Sequence, residues 1–126
     1  MIVMPADAPA AKMQAVRDMG TEIVPYDRDT QNSADVVARI MDETGRVEVP
    51  PSAHRQVLAG AGTAALEILE DAGGPLDAVL VPCGGGGLTA ATAALMAEAS
   101  PATQVFSAEP TLFDDTSRSL EAGHRI

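Results

Sequence analysis

The chain has 126 residues and a mass of 12.9 kDa, enough for one ordinary domain that buries roughly two-thirds of its unfolded surface. With 46% hydrophobic and 21% charged residues and a mean hydropathy of +0.08, it falls outside the disordered, collagen-like and disulfide-scaffold classes. Eight Lys and Arg against 18 Asp and Glu leave a net charge of −10, and a field of that sign repels nucleic-acid phosphates and anionic lipid. Tyr26, Phe106 and Phe113 are too few aromatic residues to form a stacking platform for bases. Cys83 is the single cysteine, so no internal disulfide forms. The opening MIVMPADAPA lacks a signal-peptide pattern, and no apolar stretch reaches the roughly 18 residues of a membrane span. The expectation is a cytoplasmic chain with neither nucleic acid nor membrane as partner.

The predicted elements alternate along the chain. Ile2 to Met4 is a short apolar strand. Asp7 is expected to cap a helix with Pro9 in its first turn, Met13, Val16 and Met19 on its apolar side, and Gly20 at its end. Glu22 to Tyr26 reads as a second strand, with Pro25 marking an edge. A second helix from about Ser33 buries Val36, Val37, Ile40 and Met41 and stops at Gly45, and Val47 to Val49 reads as a third, short extended piece. Pro50-Pro51 is the clearest punctuation in the sequence. Beyond it Val57, Leu58, Ala61, Ala65, Ile68 and Leu69 recur on one helix face, ended by Gly73-Gly74-Pro75. Asp77 to Pro82 is an apolar strand of the kind buried on both faces of a parallel sheet. Gly84 to Gly87 lead into an Ala-rich helix to about Ala99, Gln104 to Ala108 is the next strand, and a last helix covers Asp115 to Ala122. Strand and helix in strict alternation imply an α/β fold with parallel sheets and flanking helices. The double proline divides it into residues 1–50 and 51–126.

Four consecutive glycines, Gly84 to Gly87, carry the strongest chemical signal. Glycine loses more backbone freedom on folding than any other residue, so such a run is costly unless bare backbone is needed. It follows a strand and opens a helix, where free N–H groups and the helix dipole favour an anion such as phosphate. The alternative is a tight loop that only brings helix and strand together. A P-loop is excluded, because Leu88-Thr89-Ala90 follows where Lys-Ser/Thr is required. A dinucleotide fingerprint remains open: Gly85-x-Gly87-x-x-Ala90 follows a strand and has Glu109 about twenty residues on. Gly60-x-Gly62-x-x-Ala65 repeats the spacing but sits inside a helical pattern and is a decoy.

Val81-Pro82-Cys83-Gly84-Gly85-Gly86-Gly87-Leu88 resembles the phosphate-cradling loop of the fold-type II pyridoxal-phosphate enzymes, the tryptophan synthase β-like family, and within it the threonine and serine dehydratases. Val3-Met4-Pro5, Ala8-Pro9-x-x-Lys12, Gly20-Thr21-Glu22-Ile23-Val24, Val49-Pro50-Pro51 and Gly60-x-Gly62-Thr63 with Glu67 fall in the family's order and spacing. So do Ala108-Glu109-Pro110, Asp114-Asp115, Arg118-Ser119-Leu120 and Gly123. The similarity runs end to end and outweighs the dinucleotide alternative. Ala61 departs from it, standing where relatives carry Gln in Gly-Gln-Gly-Thr.

The resemblance implies a partial two-domain fold-type II architecture, with 1–50 from the small cofactor domain and 51–126 from the large one. It implies that the backbone N–H groups of Gly84, Gly85, Gly86, Gly87 and Leu88 receive the phosphate of pyridoxal 5'-phosphate. Cys83 is then a small buried side chain. Glu109, the Phe113 carbonyl and Asp115 correspond to the family's ligands for a divalent cation, Mg, Mn or Ca, and hard cations take carboxylate and carbonyl oxygen. The other meaning of the same residues is an acidic loop facing water, or a cap on the last helix through Asp114 or Asp115. Lys12, the only lysine, corresponds to a structural helix and is not expected to be the Schiff-base residue; His54 and His124 are expected at the surface. The family's Ser-Phe-Lys-x-Arg-Gly segment, its Ser/Thr-x-Gly-Asn-like substrate loop and its pyridine-nitrogen partner have no match here, so no catalytic residue is assigned. The implied reaction on a small amino-acid substrate removes the α-proton, expels the β-hydroxyl and releases a 2-oxo acid and ammonia, with the cofactor as electron sink. The expectation is an internal piece of such an ammonia-lyase, inactive alone, belonging to a homo-oligomer or completed by another piece. A serine racemase-like relative and a non-catalytic phosphate- or dinucleotide-binding module are the alternatives.

Overall fold

The computed structural model describes residues 1–126, which form two compact units, Met1–Glu48 and Val49–Ile126. In the first unit, strand β1 (Ile2–Pro5), helix α1 (Ala10–Asp18), strand β2 (Ile23–Tyr26) and helix α2 (Ser33–Thr44) follow one another. The two strands run parallel, with Ile2 opposite Ile23 and Pro5 opposite Tyr26, and Pro25 is tolerated because β2 is an edge. Helix α2 packs against β1, where Met4 and Val36 are buried while Val37, Ile40 and Met41 are half-buried. Asn32 caps α2 by accepting the Ala34 N–H at 2.9 Å, and Gly45 closes it in the left-handed region at φ 67°.

Two expectations for this part of the chain are corrected. Asp7 does not cap α1: Pro9 occupies the cap position with no side-chain bond, and the Asp7 carboxylate instead accepts from Arg28 Nε at 3.0 Å. Met19 lies outside the apolar side, 80% exposed, because it follows the last helical residue. The short piece Val47 to Val49 pairs with no strand, and Val47 and Val49 are exposed.

The second unit holds α3 (Arg55–Ala72), β3 (Ala78–Pro82), α4 (Gly87–Ala99), β4 (Gln104–Ala108) and α5 (Asp115–Ala122). Strands β3 and β4 are parallel from Ala78 opposite Gln104 to Pro82 opposite Ala108. Helix α4 touches both strands and also α3. That double duty explains its sequence, which is apolar on every side rather than striped. Met96 is its deepest side chain at 1% exposure. On the α3 side the helices approach closely because Gly62 faces Ala91: a Cβ on Gly62 would meet Ala91 Cβ at 3.9 Å. The turn after α4 is held by buried hydroxyls, with Ser100 Oγ and Thr103 Oγ1 bonded at 2.8 Å and Thr103 Oγ1 donating to Leu76 O at 2.7 Å. The other sheet face is bare, since Leu80 and Phe106 pair in register and are 70% and 50% exposed. That corrects the expectation of a β3 strand buried on both faces.

Candidate functional site: the glycine loop after strand β3

Strand β3 ends at Pro82, and Cys83 continues its ladder by donating its N–H to Ala108 O at 2.9 Å. The backbone then leaves the sheet. None of the N–H groups of Gly84, Gly85, Gly86, Gly87, Leu88 and Thr89 is donated to a protein acceptor; the first bond of the new helix is Ala90 N–H to Gly86 O at 2.8 Å. A run of consecutive free amides at a helix start is a concentrated set of donors, reinforced by the positive end of the helix dipole. Gly86 takes φ 78°, a left-handed step directly before the helical residues, which is the alternation that turns successive N–H groups towards one concave side.

The glycines divide by what surrounds them. A Cβ at Gly84 or Gly86 would meet nothing within 4 Å, so the space beside them is open. A Cβ at Gly87 would lie 2.9 Å from Ser52 Cβ and 3.0 Å from Ser52 Cα, and one at Gly85 would lie 3.0 Å from Ser52 Oγ. Gly87 is therefore glycine because Ser52 packs against the loop, at Gly85 only the rotatable Ser52 hydroxyl is close, and Gly86 is glycine because of its backbone conformation. Thr89 adds a buried hydroxyl without a hydrogen-bond partner in the first turn of α4. The loop suits the phosphate end of an organic cofactor: neutral, convergent donors and unfilled space in a chain that carries −10.

The acidic segment is arranged differently from a bare cluster of ligands. Glu109 follows β4, and its Oε1 accepts the Thr116 N–H at 3.1 Å while its Oε2 accepts the Ser117 N–H at 2.9 Å. Partial burial raises its pKa, but the Ser117 amide, the Thr116 side chain and the Thr116 amide together outweigh this and hold the carboxyl below its ordinary range. Helix α5 is thus capped by a residue outside it, while Asp114 occupies the cap position without a side-chain bond and Asp115 stands exposed in the first turn. Phe113 is 72% exposed, its N–H donated to Pro110 O at 2.8 Å. No three His, Cys, Asp or Glu side chains converge anywhere in the chain.

Of the remaining candidates, Lys12 is exposed in the first turn of α1, and His54 caps α3 by accepting the Gln56 N–H at 3.3 Å. Sequence reasoning missed that cap, as well as Ser52 and the approach of Cys83 to Thr116, at 3.4 Å. No helix is long and apolar enough to cross a membrane.

The chain has relatives among known proteins. The chain is 43% identical over 122 residues to an L-threo-3-hydroxyaspartate ammonia-lyase of a Pseudomonas species, covering 97% of this chain and 38% of that protein. It is 39% identical to the chloroplastic biosynthetic threonine dehydratase of Arabidopsis thaliana, covering all of this chain and 21% of that one. Among solved structures, maize serine racemase superposes with a TM-score of 0.92 at 34% identity, over 99% of this chain and 38% of the other. A T.th. threonine deaminase gives 0.87 at 42% identity, over 98% and 41%. The chain therefore spans well under half the length of these relatives, and its fold is that of the fold-type II pyridoxal-phosphate enzymes. The family model described as pyridoxal-phosphate dependent enzyme matches residues 1–126, and the chain belongs to that family.

Proposed function

We propose that this chain supplies the phosphate-holding portion of a pyridoxal-phosphate-dependent ammonia-lyase acting on a small 3-hydroxy amino acid. The observation that carries this is the set of free N–H groups from Gly84 to Thr89 at the start of α4. Gly84, Gly85, Gly86, Gly87 and Leu88 hold the phosphate through backbone donors, so a dianion is bound without recruiting any of the few cationic side chains. When bound, pyridoxal phosphate supplies an electron sink for charge developing at the substrate α-carbon. The chain's own contribution is to fix the phosphate end of the cofactor and hence its orientation.

The substrate class rests on the relatives. The Pseudomonas protein and a Paracoccus denitrificans β-hydroxyaspartate dehydratase, 40% identical, act on 3-hydroxyaspartate by name, and serine and threonine carry the same β-hydroxyl. A second reading, serine racemisation, is favoured by the superposition on maize serine racemase. Glu109, the Phe113 carbonyl and Asp115 are proposed to hold a divalent cation, Mg, Mn or Ca. Each Glu109 oxygen that accepts an α5 amide keeps a second lone pair for a metal.

The test is amide hydrogen exchange on the 126-residue chain with pyridoxal phosphate and, separately, with NAD. Protection of Gly84 to Thr89 by pyridoxal phosphate is expected; protection by NAD alone overturns the proposal. The chain by itself is expected to release no 2-oxo acid from L-serine or L-threonine, and turnover that is abolished by Lys12→Ala would overturn the exclusion of Lys12. Incubation of L-serine with the whole enzyme separates the two readings, since a 2-oxo acid marks the lyase and D-serine the racemase.

A further inference from the structure

We draw no further inference here: the strongest candidate, the apolar groove of about 450 Å³ between α3 and α4 lined by Leu58, Gly62, Leu66, Ala91 and Leu95, is an unpartnered helix face, and nothing in the structure shows what covers it.

Discussion

Replacing Gly87 by alanine tests why the loop is built of glycine. The added Cβ would sit 2.9 Å from Ser52 Cβ, 3.0 Å from Ser52 Cα and 3.3 Å from Ser52 O, against an optimal carbon separation of about 3.5–4.0 Å. Two of the three obstructing atoms are backbone, so a rotamer change at Ser52 cannot relieve the overlap. Overpacking of this kind costs about 1–3 kcal/mol, partly offset by the gain of about 0.5–1 kcal/mol from replacing a helical glycine with alanine. A net loss of about 1–2 kcal/mol is expected, a fall in Tm of about 5–10 °C for a unit of this size. Because the strain is relieved by moving the loop, phosphate affinity measured by titration calorimetry should fall about tenfold, the equivalent of about 1.4 kcal/mol. Two controls bracket the result. Gly84→Ala points its Cβ into open space and should stay within about 0.5 kcal/mol of the parent in stability. Ser52→Gly removes the obstructing side chain but leaves the backbone atoms of residue 52 in the way, so the double variant should recover only part of the loss. Equal stability and phosphate affinity for Gly87→Ala and Gly84→Ala would refute the packing argument.

Other expected outcomes follow from single features of the fold. Met96→Ala empties the deepest position of α4 and should cost about 2–5 kcal/mol in denaturant unfolding; a loss below about 1 kcal/mol would show that the helix is not packed as described. Asp27 accepts the Asp29 N–H at 2.9 Å, and that bond, together with the Thr30 side chain, holds its carboxyl below the usual 3.8. With the folded pKa depressed, the Asp27 contribution to stability is complete above the unfolded value of about 3.9 and is lost as pH falls through the folded one. A carboxyl-carbon titration should therefore place the Asp27 midpoint below 3.8, and a midpoint above it contradicts the turn. The bare Leu80 and Phe106 pair should drive self-association, since a parallel sheet is normally covered on both faces. Sedimentation velocity should show a smaller mean mass for Leu80→Lys with Phe106→Lys than for the parent, and equal masses would exclude this face as the site of association.

The elements that carry strong local punctuation were legible in the sequence. Gly45, Gly73 and Gly123 end their helices in the left-handed region, and β4, α4 and α5 begin and end close to where their apolar runs and breakers place them. The donor loop was legible because four glycines after a strand have few other uses. What local pattern could not show is the meeting of distant residues. Glu109 reaches past Asp114 to cap α5 from eight positions upstream of Ser117, and Cys83 meets Thr116 across 33 positions. Ser52 lay in a stretch that reads only as a proline-rich connection, and its role emerges when the chain folds back over the loop. Asp7 failed as a cap for the reverse reason: Arg28, in the loop beyond β2, competes for the same carboxylate. Val47 to Val49 has β-forming residues but no neighbouring strand, and without a partner β propensity has nothing to act on.

The placement of α4 between the sheet and α3 links occupancy of the loop to the integrity of its whole unit. The donor groups are the first turn of a rod gripped from two sides, so unfolding of the unit disperses them. A ligand held there binds only the folded form and raises the melting temperature in proportion to the logarithm of its concentration. A thermal shift on adding cofactor then serves as a gauge of cradle assembly without requiring any turnover.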